Sequence, residues 1–190
     1  MKKKLRKKDE YRDCWIYILL LSTLVILIES LKYYTFPIVG VSLSYSIFLL
    51  PLTYFLTNYI EKKYDYKKAI SAIAISGVLF VCYSAIISFG LGQRLILSSI
   101  SGEFIGYVIS QLVNLTIFNF LQNNTKSPLL LIYLNYIFSL IVYYMFYTLI
   151  YLKMILLDQY WKGYFITLTI QIIICIPIAI IDKKIKRGIE

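Results

Sequence analysis

An apolar segment that ends in a run of lysines limits most strongly what this chain can fold into. The segment Phe48–Ala69 (FLLPLTYFLTNYIEKKYDYKKA) begins as an uncharged helix and ends with four lysines within seven residues. An apolar span that leads directly into lysines is typical of a membrane helix that reaches the cytoplasmic headgroups. The segment therefore predicts one crossing of a membrane and one loop on its cytoplasmic side.

The composition extends this prediction to the whole chain. Of 190 residues, 59% are hydrophobic and only 16% are charged, whereas soluble domains contain about 25% charged residues. The length permits about six crossings of roughly 20 residues each, which leaves no room for a soluble domain. The net charge of +10 would also suit nucleic-acid binding, but no folded module remains to present a basic patch. We therefore expect an all-α integral membrane protein whose partner is the lipid bilayer, with no nucleic-acid partner.

Six apolar segments predict the helices of a six-transmembrane-helix bundle. They comprise residues 14–34, 37–60, 69–91, 95–121, 128–152 and 164–181. They form one transmembrane domain, 13–182, between two basic cytoplasmic tails, 1–12 and 183–190. Sixteen of the 20 Lys and Arg residues then lie on the side that holds both tails, and four lie on the other. This bias predicts an N-in, C-in multi-pass protein of the cytoplasmic membrane.

The second predicted helix contains two prolines and a polar group. Pro37 is expected in its first turn. Pro51 is expected in the middle of the membrane, where it would remove a backbone hydrogen bond. The polar residues Thr53, Thr57 and Asn58 follow within two turns. They are candidates for substrate binding, and the alternative is that the threonines satisfy the backbone groups freed by the proline.

The fourth predicted helix carries a polar stripe. Glu103, Gly106, Ser110 and Asn114 are spaced 3, 4 and 4 residues apart, which places them on one face. Such a face is expected to point toward protein or water, because ionisable groups inside membranes are costly and usually functional. The candidate substrate-binding residues of both helices are Thr53, Thr57, Asn58, Glu103, Tyr107, Ser110, Gln111 and Asn114. The alternative is that the stripe only holds helices together through hydrogen bonds.

The remaining chemistry-bearing residues predict no catalytic or metal site. Histidine is absent, and Cys14, Cys82 and Cys175 have no paired spacing. Neither a nucleophile–base pair nor a Walker A motif is present, so we expect neither enzyme activity nor a cofactor. Glu29 is expected near the outer interface, where Lys32 is close enough to pair with it at i, i+3.

Two segments resemble the queuosine-precursor transporter (VUT) family. LLPLTYFLTNYIEKKYDYKKA (residues 49–69) is similar to its second-helix signature, and IGYVISQLVNLTIFNFL (residues 105–121) is similar to its second signature. The family has Asp at the positions of Asn58 and Asn114, and another near Ser139. The resemblance implies a six-helix fold and uptake of a purine-like base, specifically a 7-deazapurine. Carboxylates would be the best acceptors for the donor edge of such a base.

Three functions are consistent with these patterns. The first is a transporter that takes up a small molecule, with its site between helices two and four. The second is the substrate-binding subunit of an energy-coupling-factor vitamin importer, which would need ATPase subunits as energising partners. The third is a membrane protein that does not transport and acts through contacts with partners.

Overall fold

The computed structural model describes the backbone of residues 2–38, 40–90, 97–124, 129–151 and 157–189, and the side chains of residues 13–38, 40–90, 100–121, 129–148 and 162–184. Helices dominate these ranges. In chain order the elements are α1 (Lys2–Leu31), β1 (Thr35–Ile38), β2 (Val41–Ser44), a 3-10 turn (Tyr45–Phe48), α2 (Leu50–Lys63), α3 (Tyr66–Gly90), α4 (Leu97–Asn124), α5 (Leu129–Tyr151) and α6 (Leu157–Ile189). The two predicted basic tails are helical where they are described, as continuations of α1 and α6.

Five of the described helices are long and apolar enough to cross a membrane. The qualifying segments are Asp13–Leu31, Tyr66–Gly90, Ile100–Leu121, Leu129–Thr148 and Lys162–Lys184. Large apolar side chains cover their outer faces, for example Leu19, Ile86 and Phe138. Soluble monomers rarely expose apolar surface on this scale. The fold is therefore an all-α bundle of the membrane-protein type, as the composition predicts.

The predicted second helix is wrong over its first half. Residues Thr35–Ile38 and Val41–Ser44 form an antiparallel hairpin in which Thr35 pairs with Ser44 and Ile38 with Val41. Gly40, between the two strands, has a φ of +76°, which a residue without a Cβ adopts at little cost. The hairpin is attached to the end of α1 by the Ser44 hydroxyl, which donates to the Leu31 carbonyl at 3.1 Å.

The predicted roles of both prolines also need correction. Pro37 lies in β1 and not in the first turn of a helix. Pro51 lies in the first turn of α2 and not in the interior of a helix. A first-turn N–H has no partner within the helix, so Pro51 removes no helical hydrogen bond and starts the helix instead of kinking it.

The short helix α2 occupies the centre of the bundle. It has 14 residues, nine of them buried, and it contacts each of the other five helices. One face packs with α1, α3 and α4 through Leu56 and Ile60. The opposite face packs with α5 and α6 through Leu50 and Tyr54. The polar side chains Thr53, Thr57 and Asn58 of α2 are fully buried by protein.

The bundle has two chemically different ends. The hairpin end contains β1, β2 and the beginning of α2. The lysine end contains the α2–α3 connection, the four lysines of the helix ends that flank it, Tyr17 of α1 and Asp182 of α6. The contact with α1 is direct: Lys63, at the C-terminus of α2, donates to the Tyr17 hydroxyl at 3.2 Å.

Candidate functional site

A cavity of about 340 Å³ lies at the hairpin end between α1, α4, α5 and α6. We call it the hairpin-end cavity. Its lining residues come from all six helices, β2 and the 3-10 turn: Val25, Ile28, Glu29, Lys32, Ser44, Ser46, Ile47, Leu50, Phe80, Glu103, Tyr107, Tyr143, Tyr144, Tyr147 and Gln171. The volume is within the range of sites for small molecules.

Three charged side chains meet in this cavity. Lys32 Nζ lies 2.8 Å from Glu29 Oε1 and 2.9 Å from Glu103 Oε2. The side chains of the two glutamates are 2% and 13% exposed, and that of Lys32 is 26% exposed. Burial alone would lower the pKa of Lys32, but the carboxylates of Glu103 and Glu29 more than offset it, so the pKa is raised and the lysine stays charged. One cation therefore faces two carboxylates.

Aromatic rings form much of the remaining wall. Tyr143 and Tyr147 stack with centroids 6.2 Å apart, and Tyr144 meets Tyr143 edge-on at 5.1 Å. The Tyr107 hydroxyl shares a 2.9 Å hydrogen bond with the Ser76 hydroxyl of α3. Such rings offer flat apolar faces with negative electrostatic potential to a ligand.

Two buried acceptor atoms of the lining residues have no partner among the described residues. Gln171 donates from Nε2 to the Ile47 carbonyl at 3.1 Å, while its Oε1 accepts no hydrogen bond. Glu29 uses Oε1 for Lys32, and its Oε2 accepts none. Buried acceptors are normally satisfied, so these two residues of the lining have unused capacity for hydrogen-bond donors.

A close approach between α4 and α5 shapes this wall. A Cβ added at Gly106 would lie 3.0 Å from the Tyr143 carbonyl and 3.4 Å from its ring. The glycine of the polar stripe therefore lets the Tyr143 backbone pack directly on α4 and positions its ring in the cavity.

The structure divides the eight predicted site residues into two groups. Glu103 and Tyr107 line the cavity. The other six are fully buried and do not line it. They belong to a hydrogen-bonded set between the cavity and the lysine end, which we call the buried polar network: Thr53, Thr57, Asn58, Ser110, Gln111 and Asn114, together with Tyr54, Lys62, Asn135, Tyr136, Ser139 and Asp182.

One part of the network links α4 to α2 through hydrogen bonds of Gln111. Gln111 donates from Nε2 to the Thr53 hydroxyl at 2.6 Å, and its Oε1 lies 2.9 Å from the Thr57 hydroxyl. The Thr53 hydroxyl in turn donates to the Leu50 carbonyl at 2.7 Å. Because both ends of the glutamine amide are paired within the protein, it is not available to a ligand in this arrangement.

A second link involves Ser110. The Tyr54 hydroxyl of α2 lies 3.1 Å from the Ser110 hydroxyl and 3.3 Å from the Ser139 carbonyl of α5. The Ser110 hydroxyl donates to the Tyr107 carbonyl at 2.9 Å. The Tyr54 hydroxyl thus joins α2 to both α4 and α5.

Three asparagines form the middle of the network. Asn114 donates to Asn58 Oδ1 at 2.7 Å, and Asn135 of α5 donates to Asn114 Oδ1 at 2.8 Å. Asn58 Nδ2 also lies 3.4 Å from the Tyr136 hydroxyl. Asn135 was missed by sequence reasoning because only one polar residue at helical spacing, Ser139 at i+4, accompanies it in an otherwise apolar helix.

An ion pair ends the network at the lysine end. Asp182 Oδ2 accepts from the Tyr136 hydroxyl at 2.8 Å, and Lys62 Nζ lies 3.3 Å from Asp182 Oδ1. Their side chains are 8% exposed for Lys62 and 1% for Asp182. From sequence, Lys62 belongs to the cytoplasmic lysine run and Asp182 is the last residue of the transmembrane domain. Only the packing of α6 on α2 brings them together.

The fold and the cavity together define a class: a helical membrane protein with a charged, aromatic cavity inside an apolar exterior. Within the described side chains there is no group of three or more His, Cys, Asp or Glu residues that would hold a metal ion. Comparisons with protein-family models, curated proteins and solved structures found no match. The resemblance to queuosine-precursor transporters therefore stays a prediction.

Proposed function

We propose that this protein is a transporter that takes up a small molecule through the cytoplasmic membrane and binds it in the hairpin-end cavity. The observation that carries the proposal is the placement of Glu29, Lys32 and Glu103 together in a cavity within an apolar-surfaced bundle. Charged groups at membrane depth are costly and usually mark substrate or ion sites. A purely structural role would not need a cavity beside them.

The direction of uptake follows from the proposed topology. With six passes and both chain ends in the cytoplasm, the lysine end faces the cytosol. The hairpin end, and the cavity with it, then faces outward. The buried polar network lies between the cavity and the cytosol, so its hydrogen bonds between α2, α4 and α5 would have to rearrange for the substrate to pass.

A purine-like base is the substrate that the resemblance to the queuosine-precursor family implies. The positions where that family has Asp are Asn58 and Asn114 here, and both amides are paired inside the network. The cavity nevertheless contains two carboxylates, Glu29 and Glu103, that can accept from the donor edge of a base, and Tyr143 can stack on it.

The test is binding and uptake with a matched pair of variants. The melting temperature of the purified protein is measured with each of a panel of 7-deazaguanine bases, purines, nucleosides and vitamins. Uptake of the radiolabelled compound is then measured for any compound that raises the melting temperature. Glu103→Gln is expected to weaken binding and uptake together. Glu61→Gln is the control, because Glu61 is also a buried carboxylate but does not line the cavity. Stabilisation by no compound, or equal effects of both variants, would contradict the proposal.

A substrate-binding subunit of an energy-coupling-factor importer is the second candidate. The network that separates the cavity from the lysine end is fixed by an ion pair and many interhelical hydrogen bonds, which suits a subunit that only captures its ligand. The chain has no Walker A motif, so ATP hydrolysis would come from partners. Co-purification with ATPase subunits would favour this candidate. A protein that binds neither ligands nor ATPases would instead be a non-transporting interaction protein.

A further inference from the structure

We infer that the ligand of the hairpin-end cavity is a cation that carries N–H donors, such as a protonated amine or an amidinium group, attached to a flat ring. This inference rests on the proposed function for the site but specifies the charge and hydrogen-bonding class of what binds there. It also predicts what the cavity rejects: anions, and neutral analogues of the same shape.

The first argument is the charge of the lining. Its charged members are Glu29, Glu103 and Lys32, so the described lining holds two acidic groups and one basic group. Lys32 contacts both carboxylates at under 3 Å, but a single cation cannot neutralise both while both are ionised. An uncompensated charge away from water is costly. A ligand with one positive charge would balance the site.

The second argument is the kind of hydrogen bond that is missing. The two unpartnered atoms of the lining, Glu29 Oε2 and Gln171 Oε1, are both acceptors, on residues that are each 1% exposed. Each needs a donor. A carboxylate or phosphate ligand would bring more acceptors, and a quaternary ammonium would bring charge without N–H groups. A protonated amine or amidinium brings both.

The third argument is the aromatic wall. The rings of Tyr143, Tyr144 and Tyr147 lie together on one side of the cavity. Ring faces attract cations and also stack on flat groups. This wall would therefore accommodate the ring of such a ligand and favour its positive charge.

The experiment uses five compounds that share a benzene ring and differ in charge and in hydrogen-bond donors. Benzamidine, benzylamine, benzyl alcohol, benzyltrimethylammonium and benzoate are titrated into the detergent-purified full chain at neutral pH, and both heat of binding and melting temperature are recorded. Benzamidine and benzylamine are expected to bind, benzyltrimethylammonium more weakly, and benzyl alcohol and benzoate not measurably. Binding of benzoate or benzyl alcohol as tight as that of benzamidine would overturn the inference, as would binding of none of the cations at millimolar concentration.

Two substitutions with opposite expected effects test the atoms involved. Glu29→Gln removes charge and is expected to weaken benzamidine binding on the order of tenfold. Lys32→Gln removes the competing cation and is expected to strengthen it. Glu61→Gln, outside the cavity, is expected to leave it unchanged. Equal affinities in all three variants would refute the assignment, and if Glu29→Gln fails to fold, the Lys32→Gln variant and the charge series on the unmodified chain still decide.

The outcomes also separate this inference from the proposed function. If cations bind but are never taken up, the inferred ligand class is supported and the proposed transport function is contradicted. If a neutral or anionic compound is taken up in a Glu103-dependent way and no cation binds, transport is supported and the inferred ligand class is contradicted.

Discussion

Breaking the ion pair at the lysine end should destabilise the fold by an amount that depends on which partner is removed. Removing one member of a buried pair costs about 3–5 kcal/mol, because the other charge remains buried. Asp182 is 1% exposed, so in Lys62→Met its carboxylate keeps the Tyr136 hydroxyl as a donor but loses the ion pair with Lys62. We expect a cost of about 4 kcal/mol.

Removing the other member of the pair, Asp182, should reduce the free energy of unfolding by less. Lys62 is 8% exposed and lies at the end of the bundle, so in Asp182→Asn its long side chain can turn toward the headgroups. The asparagine oxygen still accepts from Tyr136. We expect a cost of about 2 kcal/mol. The double variant should cost no more than Lys62→Met alone, whereas additivity would give about 6 kcal/mol.

The assay is reversible unfolding in mixed detergent micelles, with the four proteins compared in a double-mutant cycle. Lys67→Met is the matched control, since it also removes a lysine of the α2–α3 run from an exposed position and should change stability by about 0.5 kcal/mol or less. Additive costs, or a larger loss for Asp182→Asn than for Lys62→Met, would refute the reasoning.

Three further predictions test burial, pairing and packing. Burial raises the pKa of Glu61 to about 8, so the stabilisation by its protonated form is complete below pH 4.5 and is lost as the pH rises through about 8. The melting temperature should therefore decline less over this pH range in Glu61→Gln than in the unmodified protein. An equal decline in both would contradict this prediction. Thr57→Val leaves Gln111 Oε1 without its donor and should cost about 1–2 kcal/mol, with ligand affinity in the cavity unchanged in the same titrations. Gly106→Ala places a Cβ 3.0 Å from the Tyr143 carbonyl of α5 and should lower the free energy of unfolding by about 1–3 kcal/mol. Gly90→Ala is the control, because a Cβ there has no heavy atom within 4 Å. Equal losses in the two variants would argue against close packing at Gly106.

Helical periodicity and apolar length identify the long helices correctly because both properties are local. The polar stripe of α4 is also recovered: Glu103, Ser110 and Asn114 all point into the protein. Even the i, i+3 pair of Glu29 and Lys32 is found, because it depends only on helical spacing. What local patterns do not reveal is which of these groups line a cavity and which satisfy one another.

The hairpin was missed for a physical reason. Its residues are as apolar as a membrane helix, so a hydropathy count merges TFPIVGVSLS with α2. The informative signals were Pro37 and Gly40, which both disfavour a helix, and the β-branched residues around them. The interior partners of Gln111 and Asn114 depend on the arrangement of α2 and α5 in space, which single-helix patterns do not contain.

The central position of α2 affects how the chain enters the bilayer. At 14 residues it is about 21 Å long, whereas the hydrocarbon layer is about 30 Å thick, and it contains Asn58 and Glu61. The helices α3 to α6, which help to enclose it, follow it in the chain. We therefore expect α2 to wait beside the insertion machinery until the later helices enclose it, so that the middle of the protein is assembled last.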